Sequence, residues 1–145
     1  MNKIVNDKEC QILIDSTSEL FKLNEYAQLI EKYKQIIEYK SEKSDDIHLY
    51  FSNISYMYYL TRDFEEALAM GLKCIECKED WHKGYYRVAK AYEGLLNYEK
   101  ALEFYKNMIC KIENSKIKNS KIKNNKIENN KIENNKIENN KIENN

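Results

Sequence analysis

Apolar residues in the first two thirds of the chain recur at spacings of three and four, the period of a helix that buries one face. Ile12, Leu13, Leu20 and Phe21 predict a first helix over about Lys8 to Lys22. Tyr26, Leu29, Ile30, Tyr33, Ile36 and Ile37 predict a second from Glu25 to about Tyr39, with Asn24 placed to cap it. A third helix follows from about Asp45 to Leu60. The fourth runs from Phe64 to about Lys78, where Asp63 can cap and Glu66 can return the bond. The fifth spans Trp81 to Gly94, and Asn97 caps the sixth. The chain has no proline and three glycines, Gly71, Gly84 and Gly94, which suits long helices joined by short turns and not sheet.

The pattern is also written twice at a spacing of 34 residues. Ile54 answers to Val88, Tyr58 to Tyr92, Phe64 to Tyr98, Ala67 to Ala101, Leu68 to Leu102 and Ile75 to Ile109. A first unit aligns through Tyr26 and starts near Cys10; its successor begins 38 residues later, so four extra residues fall in the polar stretch Ser41 to Asp46. Three helix hairpins of this kind bury their apolar faces only by stacking on one another. The expected architecture is all-α, with repeats over about 10–43, 48–81 and 82–113 in a domain of residues 8–113.

Beyond it the pattern changes. Residues 111–145 are seven units of the form Lys-Ile-(Glu or Lys)-Asn-(Asn or Ser). Isoleucines five apart turn by about 140° on a helix and share no stripe. Twelve asparagines lower helix propensity further. The stretch 114–145 reads as a low-complexity tail, mostly disordered.

The residues from Leu49 to Glu113 resemble tandem tetratricopeptide repeats. In that family's first helix an aromatic, a large aliphatic, a small residue and a tyrosine follow one another; here Phe51, Ile54, Ser55 and Tyr58 stand there, and again Tyr85, Val88, Ala89 and Tyr92. Ala67, Gly71 and Cys74, then Ala101, Tyr105 and Met108, take the second-helix places. The proline that closes the family's unit is replaced by Glu79 and Glu113. The resemblance implies a right-handed solenoid of three helix-turn-helix repeats.

A more specific likeness is to the repeat domains of co-chaperones that grip the acidic C-terminal tails of heat-shock proteins through a carboxylate clamp. It implies that Asn53, Lys83 and Arg87 supply the second- and third-repeat parts of such a clamp, while Ile14 and Ser18 stand where the first repeat would place Lys and Asn.

Apart from the family, Lys83, Arg87 and Lys90 lie at spacings of four and three on one helix face, where like charges repel by about 0.2 to 0.5 kcal/mol per pair. An anionic partner relieves that cost. Arg87 can hold a carboxylate through two parallel bonds, Lys83 offers a point charge, and Asn53 can donate an amide hydrogen bond. Tyr56, Tyr59 and Tyr86 can flank an apolar ligand side chain. The bland alternative pairs these cations with Glu79, Asp80 or Glu93 and leaves the tyrosines as packing. Asp15, on a groove position, opposes an acidic ligand.

Formal charge is zero overall, with 15 Lys/Arg against 19 Asp/Glu in residues 1–110 and nine Lys against five Glu beyond. Neither half supports a nucleic-acid or membrane partner. No stretch reads as a signal peptide or a membrane span, so a cytoplasmic protein with reduced thiols is expected. Cys74 and Cys77 have the spacing of a zinc or redox pair but fall inside a helix without a second pair, and Cys74 sits at a packing position. His48 and His82 open successive repeats and read as surface residues. No catalytic motif, cofactor or metal site is expected. The reading is a protein-interaction module for an acidic peptide such as a heat-shock tail. A structural scaffold docking another protein is the alternative, and a thiol or zinc protein a third. Helix six lacks a covering seventh helix and is open to self-association.

Overall fold

A computed structural model describes residues 3–41 and 44–144; Glu42 and Lys43 of the expected polar insert lie outside them. The elements are α1 (Asp7–Lys22), α2 (Tyr26–Lys40), α3 (Ile47–Leu60), α4 (Phe64–Cys77), α5 (His82–Gly94) and α6 (Tyr98–Glu143). The described chain divides into two units, Met1–Ile109 and Cys110–Asn145.

In the first unit α3 packs against α2, α4 and α5, which is how stacked hairpins share a core. The repeat positions carry it: Ile54, Ala67 and Val88 are fully buried, and Ala101 is 3% exposed. Leu29 and Ile36 of α2 are fully buried as well, in clusters completed by Ile30, Met57, Cys10 and Tyr50. Each such aliphatic side chain contributes about 1.5–3 kcal/mol of transfer free energy. The alanines keep the helices close. At Gly71 the approach is closer still, since a β-carbon there would lie 2.9 Å from Val88 Cγ2.

The turn inside each hairpin is built the same way three times. Asn24, Arg62 and Leu96 adopt positive φ of 58°, 66° and 61°. The amide after each reaches back to a carbonyl five residues earlier: Glu25 to Leu20, Asp63 to Tyr58, Asn97 to Tyr92. This is the left-handed helix stop usually made by glycine. It also corrects the expected caps. Asn24 terminates α1, its Oδ1 accepts from the Tyr26 hydroxyl, and Glu25 precedes α2 without a side-chain cap; Asp63 makes no cap bond either. Asn97 does accept from the Lys100 amide at 3.2 Å, and Asn6 accepts from that of Glu9 at 2.9 Å.

Leu96 has a β-carbon in a region that costs about 1 kcal/mol or more, and its side chain is 71% exposed. Leu96→Gly is therefore expected to raise stability by about 0.5 kcal/mol in urea unfolding, the relief of strain exceeding glycine's entropy cost. Leu96→Ala, which keeps the strain, should give no gain.

In the second unit the expectation of disorder is corrected. Helix α6 runs to Glu143. The chain is exposed from Glu113 onward, and Ile117 through Ile142 remain 45–73% exposed, as their five-residue spacing requires. Local terms suffice for the helix. It contains neither proline nor glycine, and Glu113, Glu128, Glu133 and Glu138 each precede a lysine by three residues, the favourable order along a helix. Extending an existing helix also costs far less than starting one. No helix among the described residues is long and apolar enough to cross a membrane.

Candidate functional site

Helices α3 and α5 bring Tyr56, Tyr86, Arg87 and Lys90 to one cleft of about 220 Å³, which Ser55, Tyr59 and Leu60 complete. Tyr56 and Tyr59 are three apart on α3, Tyr86 and Lys90 four apart on α5, so each helix presents its pair on one side. Ser55 fixes the floor by donating its hydroxyl to the Ala67 carbonyl at 2.7 Å, tying α3 to α4.

Arg87 is the centre of this arrangement. Its Nε donates to the hydroxyl oxygen of buried Ser52 at 3.1 Å. The guanidinium lies 4.6 Å over the Tyr56 ring and 5.7 Å from that of Tyr86. Burial draws its pKa below the usual guanidinium value, with the nearby tyrosines opposing the shift, and the group stays charged. No carboxylate pairs with it among the described residues. Stacking and one neutral hydrogen bond orient the cation without neutralising it.

The other cations are placed differently. Lys90 forms an ion pair with Glu93 at 3.0 Å and lies 5.2 Å over the Tyr59 ring, which matches the bland reading for this residue. The bond to Glu93 raises its pKa and lowers that of Glu93. Glu93 also accepts from the Tyr105 hydroxyl at 3.0 Å; burial and then this bond push Tyr105 up to about 12. Lys83 is exposed, with its Nζ 5.7 Å over Trp81. Asn53 is half-buried on α3. Neither Lys83 nor Asn53 lines the cleft. Sequence reasoning missed Ser52, whose hydroxyl aims Arg87; a serine at the buried period of α3 was the available signal.

In the first repeat Ile14 packs against the core cluster of Cys10, Ile36 and Tyr50, and Ser18 is exposed. Asp15 is exposed and accepts from Gln11 at 2.7 Å. A larger hollow of about 600 Å³ lies beside the N-terminal segment, bounded by Ile4, Val5, Ile12 and Leu13 with Lys3, Glu9 and Lys32. Its mixed charges give no preference for either sign.

Cys74 is buried and donates its thiol to the His48 carbonyl at 3.3 Å; burial pushes its pKa up to about 12. Cys77 is exposed and, like Cys74, unbridged. Among the described residues no group of three or more His, Cys, Asp and Glu could hold a metal ion.

His48 corrects its expected surface role. It is 6% exposed, edge-on to Trp81 at 4.8 Å, with Nδ1 3.1 Å from the Asp45 carbonyl. Burial, aided by Lys78, lowers its pKa below the ordinary 6.5. The unfolded chain then binds more protons than the folded one in that window, so stability falls as pH drops through 6.5. Urea unfolding at pH 7.5 and 5.5 should show this loss, and His48→Phe should flatten it. An unchanged slope in the variant would assign the acid sensitivity elsewhere.

No family model matches the chain. It is 31% identical over 102 residues to the Hsp70-Hsp90 organising protein of Plasmodium falciparum, a stretch covering 70% of this chain and 39% of that protein. Against heat shock protein STI1 of Saccharomyces cerevisiae it is 32% identical over 90 residues, 57% of this chain and 15% of that one. Among solved structures, the TPR2B-domain:pHsp70-complex of yeast Sti1 matches with a TM-score of 0.63 and 22% identity, over 72% of this chain and 81% of that one. The Arabidopsis OM64 TPR domain matches with a TM-score of 0.62 and 15% identity, over 72% and 83%. The chain thus spans about two fifths of the Plasmodium relative and a smaller share of the yeast one. The structural matches show its fold to be a tetratricopeptide-repeat solenoid.

Proposed function

We propose that this tetratricopeptide-repeat solenoid is a protein-interaction module that holds a short acidic peptide with a free C-terminal carboxylate in the cleft between α3 and α5. The observation that carries the reading is Arg87, a half-buried guanidinium stacked on Tyr56, bonded through Nε to Ser52 and paired with no carboxylate among the described residues. Its terminal nitrogens remain for a planar anion, which they can hold by two parallel charge-assisted bonds. Tyr56, Tyr59 and Tyr86 supply an aromatic wall for the side chain beside the carboxylate. Lys83 adds longer-range attraction from the exposed start of α5, and both Lys83 and Asn53 stand outside the cleft lining. The Plasmodium relative is named an Hsp70-Hsp90 organising protein, and the yeast Sti1 structure is a complex of its TPR2B domain with pHsp70. The ligand proposed for this chain is accordingly the acidic tail of such a chaperone.

Calorimetric titration with an acidic peptide ending in Val-Asp tests this. Amidating its terminus is expected to weaken binding by about tenfold or more, the loss of one charge-assisted contact. Equal affinity for the free and amidated forms would reject recognition of a chain end. One observation favours a second reading, a scaffold that docks an unrelated protein elsewhere: Ile14, at the place where the first repeat of a clamp would carry a lysine, packs against the core, so that position brings no cation to the groove. Under that reading partner association survives loss of both Lys83 and Arg87.

A further inference from the structure

Helix α6 is apolar over a wider arc than its own body covers. Ala101 is buried, and Phe104 packs against Tyr85 and Tyr92 of α5 at ring distances of 6.3 and 5.6 Å. Tyr98, Leu102 and Ile109 form an adjoining strip that is 65%, 55% and 51% exposed, with half-buried Tyr105 at the border. Together the two strips span about 160°, where roughly 100° serves a helix packed on one side.

The strip has the spacing of a coiled-coil seam: Tyr98, Leu102, Tyr105 and Ile109 follow at four, three and four residues. Beside it, at one and the same heptad position, stand Glu99 and Lys106. Both are exposed and neither is in an ion pair among the described residues. Lys100 and Glu103, by contrast, pair with each other at 3.1 Å on the outer face.

We propose that this strip is a self-association surface, on which a second copy of the chain lays its own α6 in antiparallel orientation about a two-fold axis. Centring the pair between Glu103 and Phe104 sets Tyr98 against Ile109 of the second copy and Leu102 against its Tyr105. Glu99 then opposes Lys106 of the second copy, and Lys106 opposes its Glu99. A parallel pair would instead put Glu99 and its counterpart on opposite flanks of the seam, as it would Lys106, each facing the side of Ala101 and Met108, which carries no charge, so neither attraction would form. The flanking charges therefore select one orientation, and they select a helix with the reverse charge order, which α6 supplies when turned end for end. A two-fold contact uses the same patch on both copies and closes. The cleft residues lie on α3 and α5, so Glu99, Leu102, Lys106 and Ile109 of the strip can be changed without altering the cleft lining.

Sedimentation equilibrium of the full chain across the micromolar range is expected to show a reversible monomer–dimer equilibrium. Leu102→Ser and, separately, Ile109→Ser should raise the dimer Kd by about tenfold or more. Glu99→Lys alone and Lys106→Glu alone should each weaken it by about fivefold, since two attractions become two repulsions. An equimolar mixture of these two charge variants should recover a heterodimer, because every facing pair is again of opposite sign. All four positions are exposed, so far-UV circular dichroism should be unchanged. A wild-type monomer at every concentration overturns the proposal. So does a dimer indifferent to Leu102→Ser and Ile109→Ser, or a mixture no better than its components.

Discussion

Arg87→Ala is expected to weaken binding of a free-ended acidic peptide by about a hundredfold, close to 2.7 kcal/mol. The estimate follows from removing two charge-assisted bonds of about 1.5 kcal/mol each from a site that already holds the donor in place. Preorganisation is the reason for the size of the effect. The bond to Ser52 and the stack on Tyr56 fix the guanidinium before a ligand arrives, so little side-chain entropy is lost on binding. Arg87→Lys should recover only part of the loss, because an ammonium has no planar fork to satisfy Ser52 and a carboxylate together. Lys83→Ala should cost about threefold or less, since Lys83 is exposed and screened by solvent. Calorimetry at fixed ionic strength, with thermal melts as a check on folding, distinguishes these variants. An Arg87→Ala chain that binds as tightly as the wild type would remove the site.

The helices and their stacking were legible because burial and periodicity report the same thing. The positions that match at 34 residues, Ile54 with Val88 and Ala67 with Ala101, are those the core encloses. The hairpin turns were less legible. Asparagine before an apolar run suggests a cap, but in the left-handed stop Asn24 serves the preceding helix, and Arg62 and Leu96 fill the same place with side chains that carry no turn signal. The tail was misread because the absence of an apolar stripe argues only against burial. Helix in that stretch draws on extension of a helix already formed and on lysine–glutamate spacing, which need no core.

Spacing on one helix likewise located the cations but not what faces them. Three positive charges on α5 look alike in sequence. Across the hairpins they differ, with Lys90 neutralised by Glu93, Lys83 resting over Trp81 and Arg87 left without an acid. The distinction that matters for function depends on residues from α3, whose register against α5 no local pattern encodes. His48 went unrecognised as a core residue for the same reason: the ring that covers it belongs to Trp81, far along the chain at the other end of the same repeat.

Gly94→Ala should destabilise the fold by about 2 kcal/mol, against the direction that helix propensity alone would give. Gly94 is the last residue of α5, and a β-carbon built on it would overlap Cδ1, Cε1 and Cγ of Phe64. Three atoms along one edge of a ring cannot be cleared by a small torsion, and the ring is hemmed by Tyr59 at 5.7 Å and by the Arg62 guanidinium at 5.7 Å. Glycine here is a packing requirement between the end of α5 and the start of α4, not a hinge. The corresponding approach at Gly84 is looser, its nearest neighbour being Ile75 Cγ1 at 3.0 Å, so Gly84→Ala should cost less. A double-mutant cycle isolates the cause: with Phe64→Leu in place, Gly94→Ala should lose at least half of its penalty in urea unfolding. If Gly94→Ala proves neutral or stabilising, the close approach of Phe64 does not govern this junction, and the position has no requirement for glycine.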